Sequence, residues 1–132
     1  MTSGYSGTPL WKKLGLKPGI RGEVINAPAD YAQLLDGSPD LTWGCNTDQD
    51  VIHAFLVSRE ELASILNSRV ETMARNGAIW VSWPKKASKV PTDITEDTIR
   101  EIALPLGLVD VKVCAVDAVW SGLKLMIRKE LR

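Results

Sequence analysis

Lys85, Lys86 and Ser88 follow directly on an apolar run at 78–83, and Pro84 fixes the direction of the chain between them. Two ammonium groups and a hydroxyl at that spacing suit an anion, either a phosphate or a carboxylate. The lysines would supply charge and the serine a hydrogen bond. In an open α/β sheet, ligands settle just beyond the carboxyl ends of the strands, which is where this loop falls. Thr95 then opens a helix, and a helix N-terminus adds partial positive charge. Asn26 and Ser58 end two other apolar runs and would stand at neighbouring strand ends. The five residues together make a candidate site for a small anionic ligand. A solvated loop whose lysines keep an apolar strand soluble accounts for Lys85, Lys86 and Ser88 without any ligand.

The rest of the chain supplies no catalytic set. His53 is the sole histidine and lies among Val51, Ile52, Ala54 and Phe55, so it reads as a buried, hydrogen-bonded side chain rather than a general base. Cys45 and Cys114 are far apart, no CxxC pair exists, and both read as reduced, buried thiols, which argues against a zinc site and a disulfide framework. Asp93, Glu96 and Asp97 complement a helix dipole. Asp110, Asp117, Trp120 and Ser121 belong to turn chemistry near a terminal hairpin. The small-residue run from Tyr5 to Leu10, followed by Lys12 and Lys13, reads as a polar lead-in with a Thr8 N-cap and Pro9 at the first helical position. A dinucleotide or S-adenosylmethionine site usually needs glycines after the first strand, so that backbone can approach the ligand. Here the turn is Asn26-Ala-Pro-Ala-Asp30; Pro28 removes an amide donor and no glycine follows.

These residues are positioned by a regular alternation of elements. A polar arm at 1–8 precedes a short helix carrying Leu10, Trp11 and Leu14, which Gly15 closes. A strand at 21–26, a short helix at 30–35 and a weakly patterned second strand at 41–45 follow. The run at 50–57 is nearly continuous apolar, as expected of a strand covered on both faces. Ser58 and Glu61 form a capping box for a helix with Leu62, Ile65, Leu66, Val70 and Met73 on one face, ending at Asn76-Gly77. After the strand at 78–83 and the loop at 84–94, a helix carries Ile99, Ile102, Ala103 and Leu106, with Pro105 in its last turn. Val109, Val111 and Val113 alternate with polar residues as in a strand. Trp120-Ser-Gly122 turns the chain into a last strand, which so short a connection makes antiparallel. The pattern predicts one α/β domain over 1–132: a three-layer, Rossmann-like, mostly parallel sheet ending in an antiparallel C-terminal hairpin.

Composition narrows the classes. Apolar residues make up 45% and charged residues 24% of 132 residues, which is ordinary for a globular protein. Sixteen basic residues balance sixteen acidic ones, so no global field favours nucleic acid or a membrane surface. No apolar run approaches a membrane span, and the N-terminus lacks the pattern of a secretory signal, so a cytoplasmic location is expected.

Several motifs carry a resemblance. Ser6-Gly-Thr-Pro-Leu10, Lys13-Leu14-Gly15, Lys17-Pro18-Gly19, Trp83-Pro-Lys-Lys86, Leu104-Pro-Leu-Gly-Leu-Val-Asp110, Lys112-Val-Cys-Ala-Val-Asp117 and Trp120-Ser-Gly-Leu123 resemble, in order, those of a family of small uncharacterised bacterial proteins. That resemblance implies a stand-alone bacterial protein and supplies no activity. From 50 onward the order of elements also looks like the second half of a class I S-adenosylmethionine-dependent methyltransferase, whose folds end in such a hairpin. The first half departs from that pattern. The leading expectation is therefore a non-catalytic module, without cofactor, that binds a protein partner or a small anionic ligand. The alternative is a minimal or degenerate methyltransferase-like enzyme with a nucleotide-like cofactor. A third reading is a structural subunit acting through assembly, for instance as a homodimer, with Trp11, Trp43 or Trp120 exposed.

Overall fold

The computed structural model describes residues 8–132. Five strands, β1 (Gly22–Ile25), β2 (Val51–Phe55), β3 (Ala78–Pro84), β4 (Leu108–Ala115) and β5 (Trp120–Ile127), form one sheet in the order β1-β2-β3-β5-β4. The pairs β1–β2 and β2–β3 are parallel, and β5 runs antiparallel to both β3 and β4. The α/β architecture is the expected one: a mixed sheet with parallel strands first and an antiparallel pair last.

Helices cover both faces. On one face, α1 (Leu10–Leu14) and α2 (Tyr31–Leu34) pack Leu10, Leu14 and Tyr31 against Val51, Phe55 and Trp80. On the other, α3 (Arg59–Thr72) and α4 (Glu96–Ala103) bury Leu62, Leu66, Ile99 and Ala103 against Ile52, Ile79, Val81 and Leu125. Every residue of β2 and β3 is buried, which is why both read as nearly continuous apolar runs, broken only by His53 and Ser82. Trp80 is fully buried and donates its indole N–H to the Leu14 carbonyl at 3.2 Å, which ties the end of α1 to the middle of the sheet.

Several local expectations are corrected. The strand expected at 41–45 is reduced to a single parallel bridge, Arg21 to Thr42, at the outer edge of β1. Pro9 rather than Thr8 stands at the N-cap of α1, with no side-chain cap. Helix α3 stops at Thr72, with Met73 already extended, before the expected Asn76-Gly77. Pro105 lies in a separate tight turn, Leu104–Leu106, so the α4 ladder ends ahead of it. Trp120, Ser121 and Gly122 are strand residues, not the turn. The turn comes earlier, where the Asp117 carboxylate accepts the amides of Val119 and Trp120, both at 2.8 Å. The expected polar arm lies, but for Thr8, outside the described residues. Among the described residues no helix is long and apolar enough to cross a membrane.

Candidate functional site

All five candidate residues lie at the carboxyl edge of the parallel strands, in two groups. Asn26 follows β1 in the left-handed conformation, with φ 57°, which asparagine tolerates better than most residues. Its side-chain amide donates to the Phe55 carbonyl at 3.2 Å and to Glu61 Oε2 at 3.0 Å. Asn26 thereby spans the seam between the ends of β1 and β2. Ser58 caps α3, its hydroxyl accepting the Glu61 amide at 3.2 Å. The expected capping box is only half formed, because Glu61 turns its carboxylate to Asn26 instead. Asp93 Oδ1 accepts the Arg59 amide at 2.6 Å, so the first turn of α3 is held from two directions.

Lys85, Lys86 and Ser88 form the second group. The Lys85 amide donates to the Val119 carbonyl at 2.7 Å, which joins the loop to the β4–β5 turn. The Ser88 hydroxyl donates to the Lys85 carbonyl at 2.6 Å and accepts the Val90 amide at 3.3 Å. Lys85 is half-buried and Lys86 exposed. The two groups share no hydrogen bond. The segment between them returns to the sheet, where the Thr92 hydroxyl and the Asp93 amide both donate to the Val57 carbonyl.

Beneath this edge lies a buried polar row that the sequence showed only at its centre. His53 Nδ1 is 2.9 Å from the Tyr31 hydroxyl, and its Nε2 is 2.7 Å from Ser82 Oγ. His53 and Ser82 are essentially inaccessible and Tyr31 is nearly so. Both ring nitrogens have partners, so a neutral imidazole is satisfied in either tautomer. Burial lowers the His53 pKa from 6.5 to about 3 and raises that of Tyr31. The serine–histidine–tyrosine order resembles a proton relay, but Ser82 has no access to solvent, so the row braces the sheet beneath the crevice. The packing of Tyr31 and Phe55 edge to face, with centroids 5.5 Å apart, reinforces that role.

A second polar cluster fixes β1 to α3. Arg69 grips Glu23 with two hydrogen bonds of 2.7 and 2.8 Å. That contact raises the arginine pKa, against the lowering effect of burial. Gln49, fully buried, donates to the same carboxylate at 3.0 Å, while its own Oε1 has no partner. The result ties β1 to α3 toward the amino ends of the strands, away from the crevice.

The fold can be compared with known structures. A methyltransferase from Aquifex aeolicus that depends on S-adenosylmethionine superposes with a TM-score of 0.66 at 13% identity, over 89% of this chain and 87% of that one. An S-adenosylmethionine-dependent methyltransferase from Clostridium acetobutylicum gives 0.61 at 7% identity, over 89% and 87%. The fibrillarin pre-rRNA processing protein of Methanococcus jannaschii gives 0.56 at 10% identity, over 94% and 70%. The likeness therefore spans almost the whole chain rather than its second half, and at these identities it is a likeness of fold. No protein-family model matches the sequence, so the resemblance to small bacterial proteins gains no support. No curated protein matches it by sequence.

Proposed function

We propose that this chain is a minimal methyltransferase-like protein that holds an S-adenosyl nucleoside in the crevice between the ends of β1 and β2. The observation that carries this reading is the superposition of 89% of the chain on methyltransferases that depend on S-adenosylmethionine. The fold comparisons favour this alternative over a non-catalytic module.

The residues at the crevice select among nucleotides. A glycine-rich turn lets backbone amides cradle a pyrophosphate. Pro28 and the side chains of the turn at 26–30 prevent that approach, so a dinucleotide does not fit. An S-adenosyl nucleoside carries no phosphate and needs mainly acceptors for its ribose hydroxyls. Glu61, exposed at the mouth and already aligned by Asn26, offers a carboxylate of the kind that binds ribose. Ser58 adds a hydroxyl beside it, and Lys85, Lys86 and Ser88 at the next strand end would receive an anionic substrate. S-adenosylmethionine, when bound, would supply an electrophilic methyl group. Binding and orientation fall to the chain's own side chains.

Isothermal titration calorimetry with S-adenosylhomocysteine and S-adenosylmethionine tests the reading. Saturable heat is expected with both, weakened about tenfold in Glu61→Gln, the scale of one charge-assisted hydrogen bond. The absence of heat with either nucleoside would overturn it. A non-catalytic module acting through Lys85 and Lys86 would then be the surviving alternative.

A further inference from the structure

The opposite edge of the sheet carries a cavity of about 300 Å³, at the small end of the range for ligand sites. It opens at the amino ends of β2 and β3, on the α1 side. Leu14, Ile20, Val51 and Met126 give it an apolar wall. Its polar groups are Lys17, Lys124, Asp50 and Asn76.

Charge is unbalanced here. Two ammonium groups face one carboxylate, and that carboxylate already accepts the Arg21 amide at 2.9 Å through Oδ2. Lys124 lies directly across from Lys112 on β4, a pairing of like charges that destabilises a sheet. Burial first, and then Lys112, lower the Lys124 pKa. Among the described residues neither Lys17 nor Lys124 forms an ion pair. Lys112 leans over the Trp80 ring, with its amine 6.0 Å from the centroid, and so is held close to the strand. A half-buried amine, opposed by a second amine and lining a cavity with an apolar wall, is a site short of one anion.

We propose that this cavity binds a small monocarboxylate with a compact hydrocarbon body, its carboxylate on Lys124 and Lys17 and its body against Leu14, Ile20, Val51 and Met126. Among the groups that line the cavity, Lys17 and Lys124 against Asp50 leave one positive charge in excess, which matches a single negative charge, and Asp50 repels a doubly charged phosphate. The site lies at the other end of the strands from the nucleoside crevice and does not depend on it.

Amide chemical-shift titrations with hexanoate and with benzoate test the proposal, with inorganic phosphate and hexylammonium as competitors of the wrong charge. Saturable shifts are expected at Gly15, Asn76 and Lys124, with Asn26 and Lys85 unmoved. Lys124→Met should weaken binding about tenfold or more, and Lys124→Arg should retain it. Lys17→Ala, on an exposed turn, reports independently should Lys124→Met disturb the fold. Four results would each overturn the proposal: no saturable shift, equal affinity in both charge-removing variants, equal shifts with hexylammonium, or phosphate binding as tightly as benzoate.

Discussion

At the scale of single residues, His53 sets the response to acid. Its folded pKa of about 3 lies below the ordinary 6.5, so below pH 6.5 the unfolded chain takes up a proton that the folded chain refuses. The stability from its burial is therefore complete above pH 6.5 and is lost as the pH falls toward 3. The limiting slope is about 1.4 kcal/mol per pH unit. Urea unfolding followed from pH 7 to pH 4 should show this fall, and His53→Gln should flatten it. The sequence revealed that His53 is buried, because apolar neighbours on both sides leave no other reading. It did not reveal Tyr31 and Ser82, which lie 22 and 29 residues away and meet the ring only once the sheet is formed. The same holds for Asn26. Its position at a strand end was legible, but its bond to Glu61 was not, because the capping pattern assigned that carboxylate to the helix.

At the scale of elements, one ion pair ties β1 to α3. The Arg69 and Glu23 side chains are mostly buried, between the exposed and the fully buried cases. Arg69→Met should therefore cost about 2 kcal/mol, because it strands the Glu23 carboxylate beside buried Gln49. Chemical denaturation measures the loss, and Glu23→Gln in the same background should restore part of it. The passage from α3 into β3 is tighter still. A Cβ on Gly77 would lie 2.5 Å from the Gln49 carbonyl oxygen and 3.0 Å from that of Ala74. Backbone cannot yield as a flexible side chain can, so Gly77→Ala should destabilise by more than about 2 kcal/mol, seen as a lower melting temperature. Elements with continuous apolar runs were legible, because burial on both faces leaves its mark on every residue. The segment at 41–45 misled because its pattern was weak: it hydrogen-bonds Ile20 and Gly22 beside β1, but the pairing does not extend beyond the one bridge to Arg21. Gly122 misled in the other direction. Its glycine suggested a turn, but the space above it is taken by Trp80 and Val116.

At the scale of the molecule, alternating elements sufficed for the fold class, and the antiparallel hairpin followed from the shortness of its connection, read at 120–122 and found at 116–119. What the sequence concealed was how far the likeness to methyltransferases extends. It lay hidden in α1 and β1, which are short and lack the glycine-rich turn that advertises such a fold. Function was less legible than fold, since the residues at the strand ends spend many of their hydrogen bonds on the protein itself. Two sites at opposite ends of the same strands would leave the sheet as a rigid spacer between a nucleoside and a carboxylate.

The placement of β5 between β3 and β4 also matters during synthesis. A ribosome delivers β3 well before β5, the strand that joins it to β4. Until Ile127 has cleared the exit tunnel, β3 has one edge unpaired and its apolar faces only partly covered, and β4 has nothing to pair with. Such an edge is a template for aggregation. The nascent chain must therefore be shielded or kept dilute until β5 arrives, and the sheet closes only after translation has passed that point.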